Sequence, residues 1–360
     1  MTPARFISHP VFLEPGFGAH HPLSTGRQKA AVDLVTTLGW LKTGDIVEAP
    51  LTDLVTLRRF HSADYLDALL RVAQAGIATP DDRLSFNLGT MECPVFPGLW
   101  ERAARSVGGA IRAAELALLG HVAFHPAGGT HHGRPERASG FCYLNDPVFA
   151  IWRLLDGGLR RVAYIDLDAH HGDGVEDAIR DNGRVGFFSI HEAVRWPGSG
   201  PTGESAGGRI VNHAVPPGIG SADYHHLVES ELLPWLDRLE PDGVVVCLGA
   251  DALDGDPLSH MRLDNSVLWS TTERCIATAQ CAVVLGGGGY NPWTTARLWA
   301  GLWGRLVGAD VTASMPTAAR AILEALDCDL IDPEDRREVW FATLADTPSF
   351  TSIALKTRDL

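Results

Sequence analysis

The chain has 360 residues, 45% of them hydrophobic, and carries 44 acidic against 30 basic side chains for a formal charge of −14. That is enough apolar chain for a substantial core, and an acidic balance without any Lys/Arg block argues against direct binding to a nucleic-acid backbone or an anionic membrane surface. The six cysteines, at 93, 142, 247, 275, 281 and 328, form no CxxC pair; with no membrane-length apolar run and with Pro10, Glu14 and Pro15 interrupting any signal core, reduced thiols and a cytoplasmic location are expected.

In chain order, Leu99, Ala103, Val107, Ile111, Ala114 and Leu118 repeat at helical spacing and predict a helix over 98–119. Apolar runs predict strands at 121–125, 162–167, 244–249 and 281–285, with a helix over 222–239 after a possible Ser221 cap. Two further helices are expected at 317–327 and 333–345, followed by a polar end that frays. Strands alternating with helices indicate an α/β fold, an open and mostly parallel sheet flanked by helices in one domain. The domain is expected to occupy 1–310, with 311–360 as a helical extension packed on it. Polar, glycine-rich stretches at 126–132, 168–174, 250–257 and 286–290 each follow a strand. Ligands bind outside the carboxyl ends of such strands, so these four loops are expected to line one pocket.

The densest chemistry is the segment from Tyr164 to Gly174, where an apolar strand runs into carboxylates and imidazoles. In extended chain, Asp166, Asp168 and His170 share a face, and such a set repels itself unless a cation sits among its members. Asp251, at the end of the 244–249 strand, can complete a three-ligand site with Asp168 and His170, leaving positions open for water and substrate as catalytic zinc sites do. The adjacent His131 and His132 suit proton transfer, with Asp166 and Asp173 as candidate carboxylate partners. Gly286 to Gly289 lacks the Lys-Ser/Thr of a phosphate loop and delivers Tyr290 instead, a candidate donor to a developing oxyanion.

The segments GGTHHGRPERASGFCYLND (128–146), DLDAHHGDGVEDA (166–178), GADALDGDPL (249–258) and GGGGY (286–290) resemble the hallmark motifs of the zinc-dependent histone deacetylase family. That family also contains acetoin-utilisation deacetylases and acetylpolyamine amidohydrolases, and the likeness spans about residues 15–305. It implies the arginase/deacetylase fold, one catalytic Zn2+ on Asp168, His170 and Asp251, and pairing of His131 with Asp166 and of His132 with Asp173. His132 would be the general base and acid, and Tyr290 would polarise the scissile carbonyl. Phe141, Gly140 and Trp196 would wall the acyl-lysine tunnel, which the tryptophan narrows or reshapes. Glu92 matches an acidic rim position, Leu258 a gatekeeper and Arg27 a position near the acetate exit. A structural K+ would sit on Asp166, Asp168 and Ser189 with the carbonyls of Asp168, His170 and Ile190.

The implied reaction is hydrolytic removal of acetyl or another acyl group from the ε-amine of lysine. Apolar Leu258 favours that substrate, while Glu92 at the mouth leaves an acylated polyamine or other small amine as the alternative. Fe2+ would suit the same oxygen and nitrogen ligands. An arginase-like dinuclear manganese site is disfavoured because Gly172 and Leu253 stand where further aspartates are needed. A non-catalytic acyl-ligand scaffold remains a third reading, against which every catalytic position is present. Oligomeric state is not readable.

Overall fold

A computed structural model of the chain describes residues 3–18 and 20–346. Its frame is one nine-stranded sheet built from β1 (Ala4–Ser8), β2 (Ile46–Glu48), β3 (Val122–His125), β4 (Val162–Asp166), β5 (Val185–Glu192), β6 (Gly203–Ser205), β7 (Ile210–Val215), β8 (Gly243–Cys247) and β9 (Cys281–Leu285). The order across the sheet is β2-β1-β3-β9-β8-β4-β5-β7-β6, and every pairing is parallel except β6 with β7.

The four strands foreseen in the sequence are β3, β9, β8 and β4, adjacent at the centre of the sheet. All their residues are buried, which is why they read as continuous apolar runs rather than alternating ones. Being parallel, they release their following loops at the same end. The outer strands escape the sequence pattern because β2 and β6 are three residues long and exposed or half-exposed, and because β5 ends in Ser189, His191 and Glu192.

Helices cover both faces. Leu99–Leu118 starts beyond Gly98, whose φ of 79° turns the chain into the helix, and buries an alanine-rich stripe against β3 and β9. On the other face Pro292–Leu306 buries Trp293, Trp299 and Trp303. Each such ring is held by apolar burial, and the indole N–H groups of all three find carbonyl oxygens, on Leu323, Leu248 and Trp40.

Three sequence expectations are revised. The 222–239 helix is Ser221–Leu227, a π-helical turn Val228–Leu232 and Leu233–Leu239; Pro234, which has no N–H to donate, stands at the junction. Ser221 does not cap it: Gly220 holds that position, and the Ser221 hydroxyl accepts from the Asp264 N–H at 2.8 Å. The 333–345 helix is only a 3-10 turn, Pro333–Asp335, and one turn, Val339–Ala342, because Arg336 between them is extended. Thr317–Glu324 forms as expected, and the polar end lies outside the described residues. Residues after 311 pack on the domain through the Arg297–Asp346 ion pair (2.7 Å) and stacking of Trp340 on Trp293.

Candidate active site

Asp168 and His170 follow β4 in a bend, and Asp251 sits in the 3-10 turn Ala250–Ala252 after β8. Their ligand atoms lie within 4.8 Å of one another, all buried, with His170 Nδ1 at 2.9 Å from Asp251 Oδ2 and 3.3 Å from Asp168 Oδ1. Backbone fixes the carboxylates: Asp168 accepts from the N–H groups of Gly288 (2.6 Å) and His170 (2.9 Å), and Asp251 accepts from Ala169 (3.0 Å). The glycines here are steric requirements. A Cβ on Gly249 would stand 2.3 Å from Asp168 Oδ2, and one on Gly288 2.1 Å from Asp251 Oδ2.

The electrostatics of this cluster ask for a cation. Burial disfavours the imidazolium, yet Asp168 and Asp251 outweigh it and push the His170 pKa up to about 10. Burial and the neighbouring Asp168 push Asp251 up to about 6, whereas Asp168 is drawn down against its own burial by His131 and His170. Two carboxylates contend for one proton-bearing ring. A divalent cation among them would satisfy both acids and free the ring to bind as a neutral ligand, so the residues fit a metal held by oxygen and nitrogen. A second group of suitable spacing, His131, Asp168 and Cys247, fits less well, because burial pushes the Cys247 thiol pKa well up and thiolate is the ligand form.

Asp166 departs from the shared-face expectation. The strand ends at this residue, the chain bends, and its Oδ2 instead takes hydrogen bonds from His131 Nδ1 (2.8 Å) and the Tyr164 hydroxyl (2.9 Å). His132 Nδ1 pairs with Asp173 Oδ1 at 2.8 Å, and the two imidazoles lie 3.9 Å apart between ring centres. Their titration diverges. Burial would lower both, but Asp166 and Asp168 hold His131 up at about 9, whereas burial and the neighbouring His131 take His132 down to about 3 despite Asp173. His132 is therefore the ring free to accept a proton.

Phe141 and Tyr290 face each other at 5.8 Å, and the Trp196 ring meets His132 edge-on at 4.6 Å. Gly140, at φ 54°, makes that approach possible, since a Cβ there would lie 2.4 Å from the Trp196 ring. Burial first, and then Asp251 and Asp168, push the Tyr290 phenol well above its ordinary pKa, so it remains a donor. Arg27, His131, His132, Gly140, Phe141 and Tyr290 all line one cavity of about 1000 Å³ including its open mouth.

Residues 21–306 match the family model described as the histone deacetylase domain. The acetoin utilization protein AcuC of Bacillus subtilis is 34% identical over 88% of this chain and 85% of its own length. Histone deacetylase 8 of Xenopus tropicalis is 32% identical over 79% of this chain and 78% of its own. A crystal structure of a histone deacetylase homologue from Aquifex aeolicus superposes with a TM-score of 0.90 at 30% identity, covering 96% of this chain and 95% of that one. The chain belongs to the histone deacetylase family. It is accordingly an amidohydrolase of a metal-dependent family, with a single α/β domain of the deacetylase type.

Of the positions that the family likeness suggested, Trp196, Leu258, Asp168, His170 and Asp251 are not among the residues lining this cavity, which His170 adjoins through its ring contacts with His132 (6.3 Å) and Tyr290 (6.2 Å). The carboxylate of the half-buried Glu92 accepts from the Gly140 N–H (2.5 Å) and Asn87 Nδ2 (3.0 Å), both neutral donors, and braces the Gly140–Phe141 turn. Leu258 is half-buried beside Asp256 on the Asp251 loop and is not among the residues lining the cavity. Ser189 stands opposite Asp166 in the β4–β5 register, its hydroxyl bonded to His191 Nδ1 at 2.8 Å, and Ile190 follows it in the core. Arg27 is buried, donates to the Gly289 carbonyl at 2.8 Å and lies over Trp299.

Three supporting residues of this deacetylase-family site had no assigned role from sequence. Asp146 accepts from Gly129 N (3.0 Å) and Thr130 N (2.7 Å), fixing the loop that carries the histidines. Asp256 accepts from Tyr290 N at 2.7 Å and Asn291 N at 3.2 Å, fixing the phenol. Arg134 forms ion pairs with Asp173 and Asp177. All three lie inside the quoted motifs, where acid and base identities were visible but their partners were not.

Proposed function

We propose that the protein is a lysine deacylase that hydrolyses an acetyl-lysine amide, with Zn2+ on Asp168, His170 and Asp251 and Fe2+ as the other metal the donors suit. The observation that carries this reading is His132, paired with Asp173, whose ring lies 6.3 Å from that of His170 among the three buried donors and lines the cavity walled by Phe141 and Tyr290. A bound divalent cation supplies Lewis acidity toward the acyl carbonyl and lowers the pKa of water from 15.7 to about 7 in favourable sites. Phe141 and Trp196 hold the alkyl stem and exclude water. His132 Nε2 takes the proton of the attacking water while Asp173 keeps the ring oriented through Nδ1. Tyr290 donates a hydrogen bond to the carbonyl oxygen as negative charge develops there. His132 then passes its proton to the departing amine. A structural K+ on Asp166, Asp168, Ser189 and neighbouring carbonyls belongs to the same reading.

Acyl-lysine is preferred to an acylated polyamine because Leu258 is apolar where the polyamine reading calls for an acid; the Glu92 carboxylate, bound by two neutral donors, keeps its charge and is the feature that favours the alternative. The test is kcat/KM of the zinc-loaded enzyme for an acetyl-lysine peptide and for N-acetylputrescine, with Tyr290→Phe as reference. The peptide is expected to be preferred, and the Phe variant to lose about 10²–10³-fold in kcat while keeping its metal. Preference for the polyamine would overturn the substrate assignment, and unchanged turnover in the Phe variant would remove Tyr290 from the mechanism.

A further inference from the structure

Tyr290 follows four glycines, which offer no side chain to hold it, and both of its own backbone polar groups are fixed from outside the run. Its N–H donates to Asp256 at 2.7 Å, and its carbonyl accepts from the Cys328 thiol at 3.6 Å, a buried contact. Cys328 lies beyond the 21–306 stretch that the family model matches and in no motif quoted above. The chain that follows it closes on the loop that supplies Asp256. Arg337 pairs with Asp254 at 2.6 Å, and the Trp340 ring lies against Gly255, where a Cβ would stand 3.0 Å from the ring and 3.5 Å from Arg337 Nη2. The Gly255 carbonyl in turn accepts from Asn291 Nδ2 at 2.9 Å, which ties this loop to the residue after Tyr290. Trp340 also stacks on Trp293, with ring centres 5.7 Å apart, at the start of the Pro292–Leu306 helix. The three contacts are unequal. A thiol is a weak donor and the Arg337–Asp254 pair is nearly half exposed, whereas Trp340 is only 3% exposed and packs on both the Asp256 loop and the chain after Tyr290.

We propose that Cys328, Arg337 and Trp340 form a buttress that sets the position of the Tyr290 phenol, with Trp340 as the principal positioning residue. The inference rests on the role of Tyr290 given above and deepens it. None of the three lines the cavity, so the buttress acts on the donor and not on the substrate. A donor to a developing oxyanion must stand about 2.7–3.1 Å from the oxygen, and a misplacement of about 1 Å caused by a distant change can cost about 10²-fold. Loss of the buttress therefore falls on kcat and spares KM, whichever acylated amine is bound.

The experiment measures kcat and KM in the full chain for wild type, Trp340→Leu, Trp340→Phe and Arg337→Met, each made again in the Tyr290→Phe background, at equal zinc content and with Tm recorded. The probe is an acetyl-lysine peptide, or N-acetylputrescine if that is the better substrate, since the buttress does not depend on which amine departs. Trp340→Leu is expected to lower kcat about tenfold with KM kept within about twofold, and Trp340→Phe, which keeps a ring against Gly255, to recover most of the loss. Arg337→Met, which removes only a half-exposed ion pair, is expected to lose about two- to threefold. In the Tyr290→Phe background the same substitutions should change kcat by less than about twofold, because the donor they position is already gone. A residue that merely stabilises the fold would lower Tm and slow both backgrounds alike. That result, or an unchanged kcat in Trp340→Leu, overturns the buttress and leaves the role of Tyr290 standing. Should Trp340→Leu fail to fold, Trp340→Phe and Arg337→Met carry the same comparison between backgrounds. If Tyr290→Phe itself turns over as fast as wild type, the role of Tyr290 fails first, and any slowing in Trp340→Leu then acts elsewhere and overturns the proposal with it.

Discussion

His131 and His132 are neighbours in sequence, each bonded through Nδ1 to an aspartate at 2.8 Å, yet they titrate in opposite directions, to about 9 and about 3. The difference lies in burial and in the charges around each ring: Asp166 and Asp168 together overcome the burial of His131, whereas burial and the charge of His131 outweigh Asp173 at His132. Among the described residues the buried Asp166 also accepts from the Tyr164 hydroxyl and the Asp168 N–H, and the Asp168 carboxylate stands close to the same ring. Asp173 divides its charge between His132 and Arg134, and His132 also faces the cationic His131. A His–Asp pair is thus set by burial and neighbouring charges as well as by its own carboxylate, so the same dipeptide motif can yield one charged ring and one neutral ring.

Breaking the comparison outright, His132→Ala should lower kcat about 10²–10⁴-fold, the range for a positioned general base. His131→Ala should lose less, since its ring acts as fixed charge; the pair is measured at matched metal content, and the reverse ranking would exchange the two roles. A finer change is Arg134→Met, which returns the Asp173 charge to His132. It should move the acid limb of kcat/KM to higher pH, by about one unit, because the base must be neutral to act and a stronger carboxylate partner holds its proton to higher pH. A limb that stays in place would mean that Arg134 does not tune the pair.

A third histidine sharpens the contrast through stability alone. His61 is buried away from the site, faces the Arg134 carbonyl through Nδ1 (3.0 Å) and accepts the Asn145 N–H at Nε2 (3.2 Å), so its neutral tautomer is fixed. Burial takes its pKa down to about 3. Below the unfolded value of about 6.5 the unfolded chain binds the extra proton and the folded one does not, so this residue should cost up to about 1.4 kcal/mol per pH unit as pH falls. Denaturant unfolding between pH 7.5 and 5 should therefore show a shallower pH slope for His61→Gln than for wild type; equal slopes would place the loss elsewhere.

The site was far more legible than the scaffold's margins. Asp168, His170, Asp251, His131, His132 and Tyr290 sit at the ends of buried strands, where an abrupt change from apolar to ionisable residues is visible in one dimension. Strict alternation puts Asp166 on one face with Asp168 and His170, but the strand stops there and its carboxylate meets His131, the partnership that the motif itself suggests. Glu92 shows the other limit: a motif gives a carboxylate its position but not its hydrogen bonds, and only the fold reveals that Gly140 and Asn87 already use it. The short outer strands and the π-turn at Val228–Leu232 depend on neighbours distant in sequence, which no local period records.

The glycines around Asp168 and Asp251 act as the walls of a casting mould. At Gly249, Gly287 and Gly288 an added carbon would lie within about 3 Å of Asp168 or Asp251, so these loops have no spare volume in which variation can accumulate. Anyone diversifying this enzyme to accept new acyl amides should leave those positions alone and randomise Trp196, which is 45% exposed and borders open space.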